Sequence, residues 1–272
     1  MKKERVDVLV VNQGLAETRE QAKRLVMAGM VYDQNNERMD KPGVKIPEIT
    51  ELQLKGKGLR YVSRGGLKLE KAIEVFDMDF NDKTVLDIGA STGGFTDVAL
   101  QNGAKLSYAL DVGHNQLAWK LRQDERVVVM EKTNFRYSKP EDFEQGLPEI
   151  ATIDVSFISL KLILPVLKTI IQPNGHVMAL VKPQFEAGRE LVGKNGIVRD
   201  PDVHQMVLYE MTYFMQEEGF QVEAMNYSPI KGGEGNIEFI VYLKAVDEVD
   251  KKDSLALETW VKQIVDEAHH SL

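Results

Sequence analysis

The sequence predicts an α/β protein in which a small α+β unit precedes a doubly wound, Rossmann-like sheet closed by an antiparallel strand. Three observations predict this class. From residue 84 onward, apolar strand-like segments alternate with helical ones, as in sheets covered by helices on both faces. Near the end, two strand-like segments are joined by a glycine-rich turn with no helix between them. Residues 1–60 instead show short β-prone pieces separated by turn residues.

Length and composition are those of an ordinary globular protein with more than one domain. The 272 residues exceed the usual size of a single hydrophobic core. No apolar run of 18 residues occurs, and Asp7 interrupts the basic start of the chain, so neither a membrane span nor a signal peptide is predicted. The absence of cysteine excludes disulfides, thiolate metal sites and a cysteine nucleophile. We therefore expect a cytoplasmic protein without a metal.

The first unit, residues 1–60, is predicted to hold two short helices and a small sheet. Thr18 and Gln21 have the spacing of a capping box before the helix REQAKRLVMA, and Gly29 is placed to end that helix. Charge also sets this end of the chain apart. Residues 1–71 carry 15 Lys and Arg against 10 Asp and Glu, a net +5, which leaves −13 for the rest of the overall −8. A solvated linker and a contact with a polyanion both explain the basic stretch 53–71.

The segment GLAETREQAKRLVMAGMVYDQNNERMDKPGVKI resembles an S4 RNA-binding domain: a helix with basic residues, a small-residue turn, a strand and then KPG. Such domains bind structured RNA through its shape and its phosphates. The resemblance implies RNA as a partner of the basic face. The candidate RNA-binding residues are Arg19, Lys23, Arg24, Lys41, Arg60 and Arg64.

The remaining chain divides into a junction with a connecting helix (61–83), a sheet domain (84–246) and a C-terminal amphipathic helix (247–272). The strand candidates are TVLDI, LSYALDV, RVVVM, EIATIDVSF, GHVMALV, FQVEAMNYS and NIEFIVYL. A parallel sheet closed by an antiparallel strand is the methyltransferase arrangement rather than the dinucleotide-binding one. The stretch GKGLRYVSRGG, with four glycines among eleven residues, is a predicted hinge between the domains.

The stretch VLDIGASTGGF predicts a ligand-binding turn, because ligands of open α/β sheets bind at the carboxyl ends of the strands. Its G-x-x-x-G-G spacing differs from the G-x-G-x-x-G of dinucleotide sites. Asp87 could accept hydrogen bonds from an ammonium group, and Asp111 closes the next strand, where an acid commonly binds ribose hydroxyls. A helix cap and a structural turn are the alternative. S-adenosylmethionine fits this pair of carboxylates, and the candidate cofactor-binding residues are Asp87, Gly89, Ala90, Ser91, Gly93, Gly94, Phe95 and Asp111.

Four charged residues are candidates for the chemistry: Lys68, Asp154, Lys182 and Glu238. Methylation of C5 of a pyrimidine requires a thiolate, which this chain lacks. Methylation of an exocyclic amine usually relies on an Asp/Asn-Pro-Pro-aromatic loop, and the corresponding place reads DVSF. A ribose 2′-hydroxyl requires a base with a lowered pKa, and a lysine near another cation can supply one.

Motifs along nearly the whole chain resemble the TlyA or hemolysin A family, in which an S4 domain is fused to an FtsJ-like ribose 2′-O-methyltransferase. They are YVSRGGLKLEKAI, LDIGASTGGFTD, LDVGHNQLAWKLR, IDVSFISLKLILP, ALVKPQFEAGRE and KGGEGNIEF. The resemblance implies that the Lys-Asp-Lys-Glu tetrad of that group is Lys68, Asp154, Lys182 and Glu238, with Lys182 handling the proton. It also implies methylation of a cytidine in ribosomal RNA.

Two other classes of function stay open on the sequence. The name of the family suggests a membrane-lytic function as one alternative. A lytic protein should contain a long amphipathic or alternating segment able to enter lipid. An RNA-binding module on an inactive methyltransferase fold is the other alternative. The complete tetrad and the ligand turn favour an enzyme.

Overall fold

The computed structural model describes residues 2–35, 37–39, 41–55, 60–251 and 253–272. The chain forms two compact units, Met1–Arg64 and Gly65–Leu272. The predicted hinge GKGLRYVSRGG lies partly outside the described residues, since 56–59 are not among them.

Within its described residues, the first unit has two helices and four short strands. The helices are α1 (Val6–Asn12) and α2 (Arg19–Met27), and the strands are β1 (Lys3–Arg5), β2 (Val31–Asp33), β3 (Lys45–Pro47) and β4 (Leu52–Leu54). The strands form two separate antiparallel pairs, β1 with β3 and β2 with β4, rather than the single small sheet that the sequence predicts. Three residues per strand are too few to join the pairs into one pleated surface.

The ends of α2 follow the sequence signals. The Thr18 hydroxyl accepts a hydrogen bond from the N–H of Gln21 at 3.2 Å, so the predicted cap is confirmed. The Gln21 side chain accepts from the N–H of Glu17 rather than from Thr18 itself, at 2.9 Å. Gly29 has φ +70°, the left-handed conformation that commonly follows a helix end.

The second unit is built on a seven-stranded sheet. Its strands are β5 (Thr84–Ile88), β6 (Leu106–Leu110), β7 (Val127–Met130), β8 (Ile150–Ile153), β9 (His176–Val181), β10 (Phe220–Tyr227) and β11 (Phe239–Ala245). The order is β10-β11-β9-β8-β5-β6-β7. The strands β5 to β9 are parallel, and β11 is antiparallel to both of its neighbours, which confirms the predicted closing strand.

Helices cover the sheet. They are α3 (Gly66–Phe76), α4 (Gly94–Gln101), α5 (Trp119–Arg122), α6 (Leu164–Ile170), α7 (Pro183–Glu186), α8 (Pro201–Glu217) and α9 (Ser254–Ser271). The predicted C-terminal helix packs on α8 and on β10. Within the predicted junction, α3 packs against α4, β10 and β11, so it belongs to the second unit.

Two predicted helices are shorter in the structure. Only residues 119–122 of NQLAWKLRQ are helical, because the N–H groups of Asn115, Gln116 and Leu117 bond to the Glu131 carboxylate instead of continuing a helix. The segment LKLILPVLKTII begins as a 3-10 turn, and α6 starts only at Leu164. Pro165 explains this start, since proline favours the first turn of a helix and breaks an interior.

Candidate active site

The topology collects four charged residues at one edge of the sheet. Asp154 follows β8 and Lys182 follows β9, so both lie at the carboxyl ends of neighbouring parallel strands. Glu238 precedes β11, and because this strand is antiparallel, its beginning lies at the same edge. Lys68 reaches this edge from the first turn of α3. The structure thus brings together all four candidate catalytic residues, although 170 positions separate the first from the last.

The two lysine amines share the two carboxylates. The Lys68 Nζ lies 2.6 Å from Glu238 Oε2 and 3.3 Å from Asp154 Oδ2. The Lys182 Nζ lies 2.5 Å from Asp154 Oδ1 and 4.0 Å from Glu238 Oε1. Lys68, Lys182 and Glu238 are buried, whereas the Asp154 side chain keeps 22% of its surface exposed. The cluster is therefore a compact, alternating arrangement of charges with an opening at Asp154.

Electrostatics keep at least part of this cluster charged. Burial by itself lowers the pKa of Lys68, but attraction to Asp154 and Glu238 outweighs it and raises the pKa above the ordinary lysine value. Burial raises the pKa of Asp154, but the two lysines more than offset this and lower it. Lys68 is therefore a permanent cation and Asp154 a permanent anion at neutral pH.

Two glycines let the backbone approach this cluster. A Cβ at Gly89, which has φ +85°, would collide with the main-chain carbonyl of Asp154. A Cβ at Gly232 would collide with the carboxylate of Glu238. The glycines of LDIGAS and KGGEG are therefore required by close packing around the charged groups.

The sequence predicted that the Asp87 carboxylate would face the ligand crevice, but the structure buries it. Only 1% of its surface is exposed, and its carboxylate accepts hydrogen bonds from the N–H and hydroxyl of Thr96, at 3.0 and 2.7 Å, and from the Thr152 hydroxyl at 3.3 Å. Burial raises the pKa of Asp87 to about 7, against the lowering effect of these bonds. The carboxylate thus fixes the start of α4 beneath the glycine turn.

The other candidate cofactor residues divide into an exposed and a buried set. Ser91 is exposed with φ +49°, and its N–H donates to the Asp111 carboxylate at 2.8 Å. The second Asp111 oxygen accepts the N–H of Gly113 at 2.6 Å. Gly89 and Gly93 form the turn. The side chain of Phe95 is in the core with 4% exposure, so it offers no surface to a ligand, and Ala90 and Gly94 are also buried.

Several residues of the crevice were missed by the sequence reasoning. The Lys182 amine donates to the Ser156 hydroxyl at 3.2 Å. Phe157 is 91% exposed and has φ +64°, and its ring lies 5.1 Å from that of Phe185. A left-handed, solvent-exposed phenylalanine is rare in a folded protein. The only signal in the sequence is its position, three residues after Asp154 in DVSF.

The candidate RNA-binding residues of the first unit differ in how freely they present their charge. The Arg19 guanidinium lies 3.1 Å from the buried Asp7, which also binds Arg5 at 2.9 Å, so Arg19 is partly structural. Lys23 pairs with Glu20 at 2.6 Å on the surface of α2. The other candidates are exposed: Arg24, Lys41, Arg60 and Arg64.

Over the described ranges, no group of three His, Cys, Asp or Glu side chains could hold a metal ion. In the same part of the chain, no helix is both long and apolar enough to cross a membrane.

A parallel sheet with one inserted antiparallel strand, a glycine turn after its first strand and a Lys-Asp-Lys-Glu cluster define a methyltransferase domain. Residues 61–245 match the FtsJ-like methyltransferase family, and residues 4–47 match the S4 domain. The chain belongs to the FtsJ-like methyltransferase family, in the branch that carries an S4 domain at the amino end. The resemblance predicted from the sequence motifs is confirmed.

Relatives match over nearly the whole chain. The Bacillus subtilis protein YqxC, which carries the provisional name of an rRNA methyltransferase, is 62% identical and covers 100% of this chain and 96% of its own. The 16S/23S rRNA (cytidine-2′-O)-methyltransferase TlyA of Mycobacterium tuberculosis is 40% identical over 88% of this chain and 89% of its own. A solved Streptococcus thermophilus protein, provisionally named a hemolysin, is 60% identical with a TM-score of 0.79, covering 100% of this chain and 97% of that one.

Proposed function

We propose that this protein transfers a methyl group from S-adenosylmethionine to the 2′-hydroxyl of a cytidine in ribosomal RNA. The observation that carries the proposal is the cluster of Lys68, Asp154, Lys182 and Glu238, in which a buried lysine amine is held between two carboxylates at the ligand-binding edge of the sheet. The name of the TlyA relative supports the nucleotide and the RNA class.

The crevice fits the proposed methyl donor. Each Asp111 oxygen accepts one backbone N–H, which leaves a lone pair on each for the two hydroxyls of a ribose. The adjacent Val112 is 70% exposed and offers an apolar contact for a base. Gly89 and Gly93, both left-handed, form the turn at which the amino-acid part would bind. When bound, S-adenosylmethionine supplies a methyl group on a positively charged sulfur.

Lys182 receives the proton in this proposal. Protonation of Lys182 raises the net charge of the cluster by one. A bound sulfonium favours the neutral amine, because a nearby positive charge disfavours a second one. With the methyl donor bound, the 2′-oxygen would form the new bond to the methyl carbon as the bond from that carbon to sulfur breaks, S-adenosylhomocysteine would leave as a neutral thioether, and the hydroxyl proton would move to the Lys182 amine. Asp154 and Ser156 hold that amine in place at 2.5 and 3.2 Å.

Phe157 positions the target nucleotide. Its exposed ring lies beside Phe185, whose centroid is 6.0 Å from the Lys182 Nζ. Single-stranded and extruded bases are commonly bound by stacking on aromatic side chains, at about 1–3 kcal/mol per base. A base stacked on Phe157 brings its own ribose to the amine.

The first unit anchors the RNA without taking part in catalysis. A chain beginning at Arg60 is expected to keep its affinity for S-adenosylmethionine and to lose affinity for rRNA, and binding by the intact chain is expected to weaken steeply with salt. Equal rRNA methylation by the truncated and intact chains would contradict the anchoring role.

The reaction itself is tested with purified protein, ribosomal subunits and methyl-labelled S-adenosylmethionine. The RNA is digested to nucleosides, and the label is expected in 2′-O-methylcytidine. Label in a base, in another 2′-O-methyl nucleoside, or in none would refute the proposed chemistry or its nucleotide specificity. Mapping 2′-O-methyl sites on rRNA from cells with and without this protein then identifies the modified position.

A further inference from the structure

Two surface turns beside the catalytic cluster are tied together by one buried side chain, Asn236. Its Oδ1 accepts the N–H of Val198 at 3.0 Å, and its Nδ2 donates to the carbonyls of Gly196 and Gly233 at 3.0 and 3.1 Å. Asn236 is only 3% exposed, and all three bonds are to backbone groups. It therefore fixes residues 193–198 against residues 232–236.

The joined turns lie directly on the catalytic edge. Gly232 packs so closely on Glu238 that a Cβ there would collide with the carboxylate, and the Gly232 N–H donates to the Asn236 carbonyl at 2.8 Å. The other turn contains two consecutive left-handed residues, Asn195 at φ +65° and Gly196 at φ +71°. The turn closes on itself through the Gly193 N–H to the Ile197 carbonyl at 3.0 Å and the Gly196 N–H to the Gly193 carbonyl at 3.1 Å, and Asn236 then joins this turn to residues 232–236.

The two turns carry cationic side chains, although residues 72–272 as a whole are acidic. Residues 193–199 carry Lys194 and Arg199 and are followed by Asp200, and Lys231 precedes the second turn, whose sequence includes Glu234. The three cationic side chains are exposed. Residues 72–272 together have a net charge of −13, which by itself repels RNA.

The stereochemistry of the proposed substrate places a phosphodiester close to the reacting oxygen. In RNA the 2′-oxygen and the 3′-phosphate are attached to adjacent ribose carbons, so a ribose at the Lys182 amine brings a phosphodiester to the edge of the crevice. We propose that Lys194, Arg199 and Lys231 form a phosphate-binding rim for the RNA backbone next to the target nucleotide, and that Asn236 is the positioning residue of this rim. The inference rests on the proposed RNA substrate.

The double variant Lys194→Ala/Arg199→Ala tests the rim directly. Each lost phosphate contact reduces the dependence of log Kd on log salt by about 1, so the double variant should lose about 2 units of slope while binding rRNA more weakly. Its affinity for S-adenosylmethionine, measured by calorimetry, should be unchanged. The matched control is Lys83→Ala/Lys105→Ala, which removes the same charge just before β5 and β6, at the opposite edge of the sheet; its rRNA salt slope should equal that of the wild type.

Asn236→Ala tests the positioning role. It should raise the KM for rRNA without changing S-adenosylmethionine affinity, and it should add little in the Lys194→Ala/Arg199→Ala background, because both changes remove the same contacts. If the rise in KM from Asn236→Ala added to that of the double variant, or if the cofactor affinity fell by the same factor, Asn236 would have a general structural role and the positioning claim would be overturned. If wild-type protein methylates rRNA but the double variant keeps the wild-type salt slope, the rim is wrong while the proposed function stands. Failure of the wild type to bind rRNA would overturn both.

Discussion

Removal of the Lys182 amine is expected to stop methyl transfer while leaving both substrates bound. Lys182→Ala deletes an amine that lies 2.5 Å from Asp154, yet Asp154 keeps its contact with Lys68 at 3.3 Å. The variant cluster has the same net charge as the wild-type cluster with a neutral Lys182. The substitution therefore removes the proton acceptor without changing the charge of the reactive state.

The expected loss in single-turnover rate is about 10²- to 10⁴-fold, the usual contribution of a positioned acid–base group, or about 2.7–5.5 kcal/mol. The affinities for S-adenosylmethionine and rRNA should change much less. The deleted Cγ, Cδ, Cε and Nζ have the size of propylamine, and the site is buried, so added propylamine should restore part of the rate. Lys168→Ala is a matched control that should retain transfer, because its amine donates to the carbonyls of Gly219 and Val246, and Val246 lies at the end of β11 away from Glu238.

A second substitution at Lys182 distinguishes proton transfer from electrostatic positioning. Lys182→Arg keeps the positive charge but cannot lose its proton at physiological pH, so it should be as inactive as Lys182→Ala and should not respond to propylamine. Near-normal turnover by Lys182→Arg would refute the reasoning, because the residue would then act only by electrostatic positioning.

Three further predictions follow from the geometry. Asp87→Ala should abolish S-adenosylmethionine binding measured by calorimetry. Asp87→Asn still accepts hydrogen bonds from Thr96 and should retain most of the affinity. An equal loss of affinity in both variants would instead indicate a direct contact between the Asp87 charge and the cofactor. Phe157→Ala should raise the KM for rRNA about 5- to 150-fold, from the 1–3 kcal/mol of one stacked base, and Phe157→Tyr should not; equal KM values for Phe157→Ala and wild type would contradict stacking. Hydrogen bonds from Arg5 lower the pKa of Asp7 to about 2, so its stabilising effect is present above pH 4 and lost as pH falls toward 2. In urea unfolding, the free energy of unfolding of Asp7→Asn should therefore fall by about 1–2 kcal/mol less than that of the wild type as the pH is lowered. If the two proteins lost the same free energy of unfolding with pH, the ion pair would be excluded as the source of the acid dependence.

The sequence by itself determined the elements and the class of the protein. Strands such as TVLDI are buried along their whole length, so their apolar runs predict them without tertiary information. The cap at Thr18 is a local signal, set by residues within one turn of the helix. The four catalytic candidates were also found from the sequence, since Asp154 and Lys182 lie at predicted strand ends and motifs mark all four.

The orientation and the partners of the charged side chains, by contrast, follow only from the tertiary structure. Asp87 was predicted to face the ligand, but the packing of α4 on β5 turns its carboxylate toward Thr96. Likewise, no local pattern indicates that β11 lies between β9 and β10, yet this insertion brings Glu238 within 2.6 Å of Lys68. Periodicity records whether a residue is buried, whereas the partner of a buried charge is set by contacts between segments far apart in the chain, which no local pattern contains.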